Sequence, residues 1–245
     1  MDSARAQVVA DLSACGYAKL APQAARAALE LDLPGLAALR DSWARLPRDR
    51  YLRDGGHYRS RRHSVFTYTP ATELLQGLPQ RAHWQPTAYN ALHGGMERWF
   101  EPIEPAVAQA AAWRQLLSSA GALFAQLKSV ERWYVEAHQF RIDTAGGIGR
   151  PTPEGAHRDG VDFVIVMLVG RRAVRGGETR VFEAAGSAGV RFTMEEPWSM
   201  LLMDDARVVH ETTPIQACDA GGGERDTLVL TYRAGGFQQP DAQQT

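Results

Sequence analysis

The sequence predicts an α+β fold, helices first and then a β core of sandwich or barrel type, and three observations carry that reading. Up to about residue 128, alanine and leucine dominate and apolar residues recur at helical spacing. From residue 131 on, short apolar runs alternate with turns that carry Gly, Pro or charge. The chain has 245 residues, 44% of them hydrophobic, enough for one large core, and all-β domains of about 200–250 residues commonly stay single. A single domain over residues 1–245 is therefore expected. Residues 1–130 form a mainly helical flank integrated with the core, residues 131–235 the core itself, and residues 238–245 a frayed tail.

Taken in order, Asp2 to Ala14 reads as a helix and "GYAKL" as a short strand. Pro34 to Leu46 reads as a second helix, with Leu36, Leu39, Trp43 and Leu46 on one face. Asp54-Gly55-Gly56 is turn chemistry, and "HYRSRRHSVF" after it alternates as a strand does. Pro70 to Leu92 has no clear pattern. Pro105 to Lys128 predicts one long helix, striped by Trp113, Leu116, Leu117, Ala120, Leu123, Phe124 and Leu127. Then "ERWYVEAHQFRID", "VDFVIVMLVG", "ETRVFEA", "WSMLLMD" and "DTLVLTYRA" read as strands, the first two separated by a Gly/Pro-rich loop from Ala145 to Gly155.

Composition excludes several classes. A net charge of −1 gives no electrostatic footprint for nucleic acid or an anionic membrane. No apolar run reaches the roughly 20 residues of a membrane span. Cys15 and Cys218 are two thiols far apart, which suits a reducing compartment rather than a disulfide framework. No basic-then-apolar leader follows Met1, so a cytoplasmic protein is expected. The oligomeric state has no signature.

The chemistry concentrates in the second half. His157-x-Asp159 opens the strand "VDFVIVMLVG", and residues two apart on extended backbone point the same way. His210 follows "WSMLLMDDARVV". Two imidazoles and a carboxylate on neighbouring strands form one face of an Fe(II) octahedron, although zinc hydrolases use mixed N/O sets too. Arg225 and Thr227 share a face of the last strand, where a guanidinium and a hydroxyl suit a carboxylate.

His157-x-Asp159, His210 and Arg225-x-Thr227 resemble the iron and cosubstrate sites of the Fe(II)/2-oxoglutarate dioxygenases. "DGGHYRSRRHSVF", "YNALHGGMERWFEPI", "EAHQFRI", "PTPEGAHRDGVDF" and "GGET" are most similar to the bacterial branch of isoleucine dioxygenase-like amino-acid hydroxylases and BsmA-type biofilm and stress proteins. The resemblance implies a double-stranded β-helix, a cupin-like jelly roll flanked by the N-terminal helices. It implies Fe(II) on His157, Asp159 and His210, and 2-oxoglutarate held at its far carboxylate by Arg225 and Thr227. O2 is the oxidant, and a small-molecule amino acid is hydroxylated with release of succinate and CO2.

For the substrate, "HYRSRRHSVF" offers two faces. Tyr58, Arg62 and Phe66 form the more aromatic one, which reads as inward, so Arg62 would meet either an amino-acid carboxylate or a structural acid. Gln139 and Arg141 are further candidates, with His138 structural. Two other functions fit the same residues: a metal cupin with isomerase or hydrolase chemistry, which has no use for Arg225, and a stress protein that keeps fold and metal without turnover.

Overall fold

The structure, a computed structural model, describes residues 3–240. It opens with α1 (Ser3–Cys15), β1 (Tyr17–Leu20), α2 (Pro22–Leu29) and α3 (Leu33–Ala38). Asp2, the expected first residue of α1, lies outside the described residues. Proline at the head of α2 has its ring pre-set for the first turn. The Asp32 carboxylate caps α3 by accepting from Gly35 N at 2.9 Å.

The single helix expected from Pro34 to Leu46 is two pieces. After α3 the chain tightens into a 3-10 turn over Arg40–Arg45, with Ser42 N donating to Leu39 O. That turn seats buried Trp43, whose indole N–H donates to Thr227 O at 3.0 Å, so tertiary packing overrides the helical pattern.

Next come β2 (Arg59–Thr69), β3 (Leu74–Gly77), α4 (Pro105–Ala108) and α5 (Ala111–Leu127). The long helix expected from Pro105 breaks at Ala110, whose ψ of 138° is extended. The break lets Val107 and Trp113 both bury; alanine, a strong helix former, gives no warning of it.

The β half follows as β4 (Trp133–Asp143), β5 (Phe163–Arg172), β6 (Val174–Gly176), β7 (Glu178–Glu183), β8 (Gly189–Thr193), β9 (Met200–Asp204), β10 (Val208–Thr212), β11 (Ile215–Ala217) and β12 (Glu224–Arg233). Seven strands form one antiparallel sheet in the order β1-β9-β5-β12-β4-β2-β3; β10-β7-β8 and β11-β6 form two smaller ones. The nominally helical half thus lends β1, β2 and β3 to the main sheet.

Both faces of that sheet are covered. On one, α5 packs Leu116, Leu123 and Phe124 against Trp133, Phe163 and Tyr232, with Phe124 stacked on Phe163 at 4.4 Å. On the other, Val164, Leu168, Leu201 and Met203 meet Val181 and Val208 of the small sheet. This two-sided burial is why β5 and β9 read as unbroken apolar runs rather than as alternation. Between the second face and the small sheets lies a cavity.

The expected frayed tail from Gln238 is corrected at its start. Gln238 Nε2 donates to the carbonyls of Asp159 and Gly160 at 3.0 and 2.8 Å, and its own carbonyl accepts from Arg81. Residues 241–245 lie outside the described residues.

Candidate metal centre and binding cavity

His157 and Asp159 do not sit on a strand as expected. They lie in the loop before β5, with His157 bridged to His210 of β10 by reciprocal backbone hydrogen bonds of 3.0 and 2.9 Å. The loop turns at Gly160, whose φ of +76° needs a glycine. Asp205 holds it there, its carboxylate taking three successive backbone N–H groups from Asp159 to Val161.

The three side chains nevertheless converge. Asp159 lies 3.9 Å from the Nε2 of His157 through one oxygen and 3.9 Å from the Nε2 of His210 through the other. The two rings are 4.6 Å apart. His157 donates its Nδ1–H to Gly155 O at 2.9 Å, which fixes the tautomer and leaves the Nε2 lone pair facing Asp159. Burial pushes the Asp159 carboxyl up, with His157 pulling it down and Glu154 raising it further. A cation between these three ligand atoms would relieve that penalty, so the donor set fits a divalent metal of the nitrogen- and oxygen-binding kind.

Arg225 and Thr227 line the same cavity from β12, on one face despite a β-bulge between Asp226 and Thr227. The Nε and Nη2 of buried Arg225 have no hydrogen-bond partner. Burial lowers its pKa to about 10, Arg171 adds to this, and Asp226 offsets it in part. A buried guanidinium in that state is short of an anion.

The four residues assigned to the substrate lie outside the cavity wall. The more aromatic face of β2 does point inward, but into the helix-packed core: Phe66 joins that core, and Arg62 Nη1 is spent on Pro102 O and Glu101. Tyr58 packs on Ile142, Val174 and Ile215 and donates its hydroxyl to Asp54. Gln139 donates to Ser42 Oγ, and Arg141 forks onto Asp226 at 2.8 and 2.7 Å.

The opposite faces line the cavity: Arg59 and Arg61 of β2, then Glu136, His138 and Phe140 of β4. Arg61 is clamped between aromatic rings, its guanidinium carbon 3.8 Å from the centroid of Phe100 and 4.4 Å from that of Phe140. The alternation of "HYRSRRHSVF" distinguishes two faces but not which one meets the cavity, because a sheet buried on both sides has two interiors. Arg98 and Gln85, also in the wall, fall in or near the stretch with no readable pattern. His83 and Arg98 are held together by reciprocal backbone hydrogen bonds of 2.9 and 3.0 Å.

His63, His83, Glu136 and His138 form a second buried group of possible metal ligands. Arg61 Nη2 lies 2.8 Å from His138 Nδ1. A guanidinium only donates, so Nδ1 accepts and the neutral ring carries its proton on Nε2, which faces Glu136 at 3.8 Å. This group is a carboxylate ringed by imidazole donors.

Comparisons with known proteins place the chain in a family. The 2OG-Fe dioxygenase family matches residues 40–231, well over half of the chain. The chain belongs to the 2OG-Fe dioxygenase family. A BsmA homologue from Methylobium petroleophilum PM1 is 54% identical over 96% of this chain and 95% of its own, with a TM-score of 0.92. The IDO of Bacillus thuringiensis shares the fold at 15% identity and a TM-score of 0.77, over 96% of each chain. The Fe(II)/(alpha)ketoglutarate-dependent dioxygenase TqaL does so at 17% and 0.70, over 94% of this chain and 88% of its own. No relative was found among the curated proteins. As a member of this family the protein is a 2-oxoglutarate-dependent oxygenase, and family membership implies Fe(II) and 2-oxoglutarate.

Proposed function

We propose that this oxygenase hydroxylates a free L-amino acid with an apolar side chain, of isoleucine, leucine or methionine type, using O2 and releasing succinate and CO2, on a double-stranded β-helix scaffold and in the cytoplasm. The observation that carries the oxygenase chemistry is the convergence of His157, Asp159 and His210 in a cavity that also holds the unpartnered guanidinium of Arg225. Among the described residues no helix is long and apolar enough to cross a membrane.

In this reading His157, Asp159 and His210 hold Fe(II), which with 2-oxoglutarate supplies the oxidising power when bound. Gly155 keeps His157 in the ligating tautomer. Arg225 takes the far carboxylate of the cosubstrate and Thr227 adds a hydroxyl beside it. Val166 and Val229 give the same cavity an apolar wall that receives the substrate side chain and excludes water.

The test is anaerobic binding of Fe(II) and 2-oxoglutarate, followed by succinate release screened over the free amino acids. Stimulation by one or more apolar amino acids is expected. Stimulation only by a peptide, lipid or acylated amino acid would overturn the substrate class and leave the oxygenase.

A further inference from the structure

The wall that faces the metal ligands is short of partners in a particular way. Arg59 Nη2, Arg61 Nε and Arg98 Nε are buried donors with no acceptor, and Glu136 Oε1 is a buried acceptor with no hydrogen-bond donor, His63 Nε2 standing off at 3.5 Å. All four residues line the cavity. An unmade hydrogen bond on a buried charged group is costly, so a patch with both kinds of vacancy describes a ligand carrying both charges.

The arginines are positioned rather than neutralised. Arg59 is tied through Nε to Asp49 at 2.7 Å, and Arg61 reaches the same oxygen only at 3.9 Å. Arg98 donates Nη2 to the neutral amide of Gln85 at 2.9 Å. Burial drives Arg61 well down, and it lowers Arg98 to about 10; a further anion would reverse both. Glu136 is the counterpart. Burial raises its carboxyl, yet the His83 ring, hydrogen-bonded to Oε2 at 2.8 Å, and the His138 and His63 rings at 3.8 and 3.5 Å hold it well below the usual range, so it is an anion.

We propose that Arg61 and Arg98, with Arg59 beside them, take the α-carboxylate of one free amino acid while Glu136 takes its α-ammonium. The inference rests on the amino-acid reading above and specifies its recognition. A 2-hydroxy acid would leave Glu136 unpaired, an amine would leave the arginines unpaired, and an N-acyl amino acid would present a neutral amide where Glu136 wants a cation. Glu154 is the less suitable partner for the ammonium. It lies 3.9 Å from His157 Nε2, beside the metal ligands, where the carbon to be oxidised belongs. With the charged head at Arg61, Arg98 and Glu136, the side chain runs towards His157 and His210 past Val166 and Val229.

The experiment uses the full chain loaded anaerobically with Fe(II) and 2-oxoglutarate. L-Leucine, L-isoleucine and L-methionine are titrated calorimetrically, each against its 2-hydroxy acid, its decarboxylated amine and its N-acetyl derivative. At least one parent amino acid should bind ~30-fold or more tightly than all three of its analogues, the loss expected for one buried charged pair. Glu136→Gln should shrink the preference over the hydroxy acid to about threefold or less, and Arg98→Gln should do the same to the preference over the amine. A retained cooperative melting transition and 2-oxoglutarate affinity show that each variant is folded, and the wild-type series decides the matter even if a variant is not. Analogues that bind within threefold of their parent, or no amino-acid binding at all, would overturn the subsite while leaving the oxygenase standing. Failure of Fe(II) and 2-oxoglutarate to bind would instead remove the proposed function beneath it.

Discussion

Asp205 accepts the backbone N–H of Asp159 at 2.9 Å through one oxygen of a carboxylate buried beneath the metal-ligand loop. Its other oxygen takes Gly160 and Val161 at 2.8 and 3.1 Å, so one side chain fixes the path that aims Asp159 at the two histidines. Outer partners of this kind are worth about 10–100-fold in metal affinity. Asp205→Ala should weaken anaerobic Fe(II) binding within that range, and Asp205→Asn, which keeps one acceptor oxygen, should lose less. Unchanged affinity in both would mean that the backbone bridge between His157 and His210 holds the loop alone.

Arg225→Ala should weaken 2-oxoglutarate while sparing the metal. Truncating one member of a buried charged pair costs about 2–5 kcal/mol, or roughly 30- to 4,000-fold in affinity. Arg141→Ala should leave 2-oxoglutarate binding nearly unchanged, because its guanidinium is already committed to Asp226. Calorimetric titration of both variants separates the two arginines; a larger loss at Arg141 would reverse the assignment.

Arg62→Ala should be almost silent in substrate binding. Its partners are an exposed glutamate and a carbonyl, and pairs near the surface contribute about 0–1 kcal/mol. A small drop in melting temperature with an unchanged amino-acid response is expected. A selective loss of that response would put Arg62 back at the substrate.

The metal-free protein should be labile in mild acid. Burial lowers the proton affinity of His63, His83 and His138, with His83 brought to about 3. Glu136 and Arg61 face all three rings, and Arg81 and Arg98 lie near. Because the folded pKa values are depressed, the unfolded chain binds more protons below about pH 6.5. Stability from these rings is complete above that value and falls as the pH drops towards 3. Melting of chelator-treated protein from pH 7.5 to 5 should show the decline, and replacing His83 with Gln should flatten it. A wild-type melting temperature that holds level over this range would count against the neutral-ring arrangement.

What the sequence revealed follows from the range of the forces involved. The grouping of His157, Asp159 and His210 was legible because ligand chemistry needs specific side chains, although the first two lie in a loop where the apolar run predicts a strand. Arg225 and Thr227 were legible from period-two geometry, which survived the neighbouring bulge. Alternation does not rank the two faces of β2, because Phe66 points at a core and Arg61 at a cavity, and both are interior. Arg98 and Gln85 gave no local signal at all: their place depends on backbone pairing with His83 and on contacts with strands far along the chain. The split of the expected long helix at Ala110 was equally invisible, since Val107 and Trp113 select it through packing.

Arg61, held between Phe100 and Phe140, has a thermodynamic consequence. Ordering a long charged side chain at a binding surface ordinarily takes about 0.5–1.5 kcal/mol out of the affinity. Here the two rings impose that order when the chain folds, so the incoming ligand meets a guanidinium that has no rotamers left to lose. Opening the sandwich with Phe100→Leu would return that freedom to the unliganded protein. In a calorimeter the change would surface as a larger entropic penalty on association, with every polar contact still made.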